Sequence, residues 1–142
     1  MFESCLRKQE EMKELFSGCR NAEEKYERII ELGRKQGKLD SQYRIPQNRV
    51  DGCQSIMYLH TSLSDGLMRF EAESEALISQ GLATLLIMVY SGEAPEVVLK
   101  CPPTYLEELD IASSLTPNRA NGLYSLHLRM KQESLKALTA GN

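Results

Sequence analysis

The spacing of apolar residues predicts a run of helices interrupted by one β-hairpin. Residues 3–16 read as a first helix of mixed charge, with Leu6, Met12, Leu15 and Phe16 as its apolar side. Asn21 stands three residues before Glu24, as in a capping box, and Ala22, Tyr26, Ile29, Ile30 and Gly33 follow at helical spacing. This predicts a second helix over residues 22–36. Residues 37–48 carry Gly, Asp, Ser, Pro and Asn without a period and read as a loop. Residues 56–63 and 67–72 then read as two strands joined by Ser64-Asp65-Gly66. Met68, Phe70 and Ala72 alternate there with Arg69 and Glu71, and Asp-Gly is a strong hairpin signal.

Ser74 is placed to cap a helix over residues 75–90 that Gly92 stops. That helix is apolar nearly all round, which predicts a central, buried position. Two shorter helical pieces are expected at 95–100 and 103–110. Thr116-Pro117 supplies a cap and a first-turn proline for a final helix to Leu138, with Leu123, Leu126, Met130 and Leu138 as its inner stripe. The expected fold is α+β: one domain over residues 1–142, with a small antiparallel β-sheet covered by helices from both chain ends.

Composition leaves this picture standing and narrows the function. The formal charge is −3, and no Lys/Arg stripe interleaved with aromatics occurs, so nucleic acid is not an expected partner. The first ten residues are charged from Glu3 onward and lack the apolar core of a signal peptide. The longest apolar stretch, residues 82–90, is about half a membrane span. A soluble, cytoplasmic protein with no membrane contact is expected, and nothing demands more than a monomer or weak dimer.

Four cysteines stand at 5, 19, 53 and 101 with no CxxC among them, so reduced thiols are expected rather than a disulfide framework or a zinc ribbon. Cys53 is the candidate for chemistry. It lies in Val50-Asp51-Gly52-Cys53-Gln54-Ser55, where a loop turns into the first strand. Gly52 allows an unusual backbone angle beside the thiol, and Gln54 and Ser55 bring polar groups and N–H donors that could stabilise a thiolate. Asp51 opposes a thiolate and Arg49 partly offsets it. A buried structural cysteine is the alternative at this point, since free cysteine is among the most buried residue types. His60 is too far along an extended strand, roughly 23 Å, to serve Cys53 as a base. His127 reads as a helix-face residue, the methionines at 57, 68, 88 and 130 as core filler, and Cys101 as a helix-end residue.

Several segments together resemble the SufE family of sulfur-accepting partners of cysteine desulfurases. They are Ala22-Glu23-Glu24-Lys25-Tyr26, Ile29-Ile30-Glu31-Leu32-Gly33, Pro46-Gln47-Asn48-Arg49-Val50 and Gly52-Cys53-Gln54-Ser55. Ser74-Glu75-Ala76, Gly81-Leu82, Leu115-Thr116-Pro117-Asn118-Arg119 and Asn121-Gly122-Leu123 follow, covering about residues 20–135. The resemblance implies a SufE/IscU-like fold and a non-enzymatic carrier. In that reading Cys53 accepts persulfide sulfur from a SufS-type cysteine desulfurase, stimulates it, and passes the sulfur to an iron–sulfur scaffold. No cofactor is implied for this chain, pyridoxal phosphate belonging to the desulfurase. Gly52, Gln54, Ser55 and Arg119 are implied to support Cys53, and Arg49, Asp51 and Glu75 to face the partner. Tyr58 stands where tryptophan is usual and Gln80 where lysine is usual, the second removing a charge from the expected docking region. The conflicting needs of attack and shelter imply that Cys53 tucks inward and swings out on docking, with residues 37–52 as the hinge. Two other classes compete: a metal or iron–sulfur scaffold of IscU-like fold, which needs several converging ligands, and a stand-alone cysteine-nucleophile enzyme, which lacks a base.

Overall fold

The computed structural model describes residues 1–140. Helices α1 (Glu3–Leu15) and α2 (Ala22–Gln36) are followed by single 3-10 turns at Ser41–Tyr43 and Pro46–Asn48. Strands β1 (Met57–Ser64) and β2 (Leu67–Ser74) lead into α3 (Leu77–Tyr90), α4 (Pro95–Lys100), α5 (Thr104–Glu108) and the long α6 (Pro117–Ala140). The order and type of elements are those of the expected α+β domain. The sheet is the antiparallel β1–β2 pair, extended by an isolated bridge between Arg49 and Tyr58. Among the described residues, no helix is long and apolar enough to cross a membrane.

Local chemistry explains the boundaries. The Asn21 side chain accepts the Glu24 N–H at 2.9 Å and starts α2. Asp65 and Gly66 have φ of 54° and 78°, and Ser64 pairs with Leu67, so the hairpin closes on a two-residue primed turn. That register buries Met57 and Leu59 of β1 with Met68, Phe70 and Ala72 of β2, while Arg69 and Glu71 face outward.

Helix α3 is the centre of the core, buried at every position from Gln80 to Ile87. Helix α2 crosses it where Gly33 meets Gly81. A Cβ on Gly33 would lie 2.6 Å from the Gly81 nitrogen, and one on Gly81 would lie 2.6 Å from the Ile29 carbonyl carbon. The two backbones touch there, and a side chain at either position would force them apart.

Four expectations change. Ser74 does not cap α3, because strand pairing with Met57 claims it and its hydroxyl donates to the Ile56 carbonyl at 2.9 Å. The inner face of α1 is Cys5, Gln9, Met12 and Phe16, with Leu6 49% exposed. Gln9 is buried because its amide is satisfied: it donates to the Pro102 carbonyl at 3.0 Å and accepts from the Thr104 hydroxyl at 3.0 Å. On α6 the stripe runs Leu123, Leu126, Met130, Ser134, and continues through partly buried Ala137 while Leu138 is exposed. The Ser134 hydroxyl reaches the core by donating back to the Met130 carbonyl at 2.9 Å. Met57, Met68 and Met130 fill the core, whereas Met88 is exposed.

Replacing Gly81 by alanine is expected to lower unfolding stability by at least about 2 kcal/mol through overpacking against Ile29. Gly18→Ala, with open space around the new Cβ, should change it by less than about 0.5 kcal/mol. Urea midpoints at constant m-value would measure both.

Candidate functional site

Cys53 owes its position to the residues just before it. Val50 is buried and its N–H bonds the Met57 carbonyl at 2.9 Å, so the chain between them doubles back as a tight loop. Gly52 sits within that loop at φ 88°, in the left-handed region that favours glycine. A Cβ there would also collide with the Ser125 hydroxyl and lie 3.1 Å from the Ser125 Cβ on α6. Glycine is therefore required twice, once by angle and once by space.

The result is a half-buried thiol directed at α6, whose Sγ donates to the Gly122 carbonyl at 3.7 Å. Burial pushes the Cys53 pKa above its ordinary value. Among the described residues no group donates a hydrogen bond to Sγ, so the donors expected from Gln54 and Ser55 do not reach the sulfur in this conformation. A carbonyl can only accept, so its contact favours the S–H form over the thiolate. In this conformation burial and the carbonyl contact both disfavour ionisation of the thiol.

Behind the thiol lies a cavity of about 60 Å³. Gln54 and Ser55 line it from the loop, Ser79, Leu82 and Ala83 from α3, and Asn118, Arg119 and Leu126 from α6. That space holds an added atom or a few waters, and falls well short of the 300–1,000 Å³ or so typical of small-molecule sites. Arg119 is the one charged side chain lining it among the described residues. Standing in the first turn of α6, it opposes the helix dipole, and Tyr26 of α2 offsets this. The Arg119 guanidinium donates to the Tyr26 hydroxyl and lies 5.8 Å from the ring centroid.

The fold thus gathers Cys53, Gln54, Ser55 and Arg119 around one cavity, with Gly52 shaping the approach. It leaves Arg49, Asp51 and Glu75 outside. Arg49 is exposed and Asp51 borders a separate crevice with Val50, Ser125 and Arg129. Glu75 is exposed beside another crevice with Arg44, Tyr58 and Glu73. Gln80 is largely buried, accepting from the Ser74 N–H at 2.6 Å and donating to the Ala72 carbonyl at 3.2 Å. It ties α3 to the end of β2, a task for a neutral amide.

Within residues 37–52, expected to act as a hinge, part of the backbone is tied to the hairpin. Leu39 is buried with its N–H on Glu73 at 2.8 Å, Arg44 pairs with Glu73 at 3.0 Å, and Tyr43 stacks on His60 at 3.6 Å. These contacts hold residues 39–44 against the hairpin. His60 is engaged by Tyr43 and takes no place at the cavity. Cys5 and Cys101 are buried, Cys101 capping the end of α4, and Cys19 is half-exposed. No group of three or more His, Cys, Asp or Glu that could hold a metal occurs among the described residues.

The residue-level reading passed over Ser79, Asn118, Gly122, Ser125 and Arg129. Gly122 and Ser125 had a faint signal, as small residues three apart on a helix that approaches a glycine loop. Arg129 had none, since a charged residue on a helix face is ordinary.

Fold and site define a small α+β protein built around one sheltered thiol. The chain belongs to the SufE family: the family model described as "Fe-S metabolism associated domain" matches residues 10–134. It is 30% identical over 122 residues to an uncharacterised SufE-like protein of Synechocystis sp., a match that covers 86% of this chain and 77% of that one. It is also 30% identical over 129 residues to "SufE-like protein 1, chloroplastic/mitochondrial" of Arabidopsis thaliana, covering 90% of this chain but 35% of the plant protein. A solution structure of a hypothetical protein from Thermus thermophilus superposes with a TM-score of 0.76 at 28% identity, covering 93% of this chain and 96% of that one. An association with iron–sulfur metabolism follows from the family.

Two measurements test the electrostatics. In the isolated protein, alkylation of Cys53 is expected to keep accelerating with pH beyond the ordinary thiol value of 9.0, and Gln54→Ala to leave that midpoint in place. His127 on α6 stacks on Tyr90 with centroids 5.5 Å apart, and burial, helped by Lys131, lowers its pKa from 6.5 to about 4. The unfolded chain therefore binds a proton more readily between those values. Stability from this residue is complete above pH 6.5 and lost as pH falls toward about 4; His127→Leu should flatten that slope in pH-dependent thermal melts.

Proposed function

We propose that this protein accepts persulfide sulfur on Cys53 from a SufS-type cysteine desulfurase, stimulates that enzyme by removing its sulfur, and delivers the sulfur to an iron–sulfur scaffold. The observation that carries the reading is the half-buried Cys53 thiol at a cavity of about 60 Å³. Such a space suits one additional sulfur atom and excludes a bulky substrate. Family membership supports the same role.

The exchange needs one nucleophile and no base of its own. Outside the cavity, away from the Gly122 carbonyl, Cys53 regains an ordinary tendency to ionise. Its thiolate attacks the terminal sulfur of the desulfurase persulfide, a new S–S bond forms at Cys53, and the donor's S–S bond breaks with the desulfurase thiolate leaving. Returned inward, the persulfide lies among Leu82, Ala83 and Leu126, which keep water and foreign thiols away. Arg119 at the cavity lining offers a positive charge to the persulfide anion. The protein works in this reading as a cytoplasmic partner of the desulfurase and not as an enzyme.

Incubation with a cysteine desulfurase, pyridoxal phosphate and cysteine should add the mass of one sulfur atom to the wild-type chain. Cys53→Ser should acquire none and should not stimulate cysteine turnover. Stimulation that survives Cys53→Ser would sink the proposal.

A further inference from the structure

We propose that Arg129 is the latch that holds the Cys53 loop in its inward position. Its consequence for sulfur delivery rests on the function proposed above. Arg129 stands on α6, where its side chain is 22% exposed. The guanidinium spends its donors in three directions. Nε pairs with Glu133 at 3.0 Å one turn along the helix, Nη1 donates to the Arg49 carbonyl at 3.0 Å, and Nη2 donates to the Gln47 carbonyl at 2.5 Å. Two of the three partners are backbone groups of the segment that runs into Cys53.

An i,i+4 ion pair with Glu133 would be the ordinary use of such a residue. It does not require the other two bonds, and Glu133 instead aims the planar fork at the loop. Bonds from a charged donor are stronger than neutral ones, so these two form a concentrated tie between α6 and the loop. The other polar ties of this stretch run to the hairpin or within the segment: Arg49 bridges Tyr58 and the Val50 N–H bonds the Met57 carbonyl at 2.9 Å, both on β1. Glu73 holds Leu39 and Arg44 to the hairpin, and Asn48 bonds the Tyr43 carbonyl at 2.8 Å within the segment itself. The inward contact of Cys53 is also made to α6, at Gly122. Releasing Arg129 therefore frees the loop from the helix that shelters the thiol, while the hairpin keeps the rest of the segment in place. Arg129 is a positioning residue: it touches backbone carbonyls and leaves Cys53 itself alone.

Alkylation of the isolated protein reads the latch without any partner. Arg129→Met keeps the aliphatic stem and removes the donors, and the Cys53 labelling rate should rise about tenfold or more, as the open population grows. Arg129→Lys, which keeps the charge but not the fork, should fall between wild type and Arg129→Met. Cys19, half-exposed and remote from Arg129 in sequence, serves as an internal reference in the same spectrum, and Cys5 and Cys101, both buried, must stay unlabelled in a folded chain. A Cys53 rate within twofold of wild type in both variants, with Cys19 unchanged, overturns the latch. A second arm measures sulfur gained from a cysteine desulfurase. Fast labelling together with no sulfur transfer even to wild type supports the latch while removing the proposed function, so the two ideas fail separately.

Discussion

Everything at the thiol depends on the backbone contact between α2 and α3 at Gly33 and Gly81. That contact brings the two helices as close as their main chains allow. Consequently a single stretch of α3 serves two faces at once. Gly81 meets Ile29 on the α2 side, while Ser79, Leu82 and Ala83 floor the cavity behind Cys53. The same approach brings Tyr26 of α2 to the guanidinium of Arg119 at the head of α6. A wider crossing would separate Arg119 from its anchor and open the cavity floor.

Against this rigid frame, the proposed function asks the Cys53 loop to work in two states. Inward, desolvation and the Gly122 carbonyl both favour the protonated sulfur, and hydrophobic walls exclude competing reagents. Neither influence survives if the loop turns outward. Under the proposed function the molecule thereby separates in time two properties that one fixed environment cannot supply together, reactivity and protection. Gly52 makes the geometry possible because a side chain there would strike Ser125. Arg129 and the buried Val50 set how firmly the inward state is held.

Much of the fold was legible because the signals are local. Asn21 caps α2, Asp65-Gly66 turns the hairpin, and Pro117 opens α6, each through chemistry confined to a few residues. The all-round apolar character of α3 placed it at the centre. Failures came where a polar residue took an inward position. Gln9 and Ser134 are buried because partners remote in sequence, or one turn back, satisfy them, and Gln80 is buried for the same reason. Hydrophobic periodicity carries no record of such partners.

The site divides the same way. The sequence by itself determined that Cys53 is the distinctive thiol, that Gly52 frees the backbone beside it, and that the family signature runs through this segment. These are properties of neighbouring residues and of their order along the chain. The tertiary structure alone decided that the thiol faces Gly122, that Arg119 leans on Tyr26, that Glu75 and Asp51 stand apart from the cavity, and that Arg129 grips the loop. Each is a contact between elements far apart in sequence, set by how closely helices pack and which donors then find an acceptor. That information exists only once the chain has closed on itself.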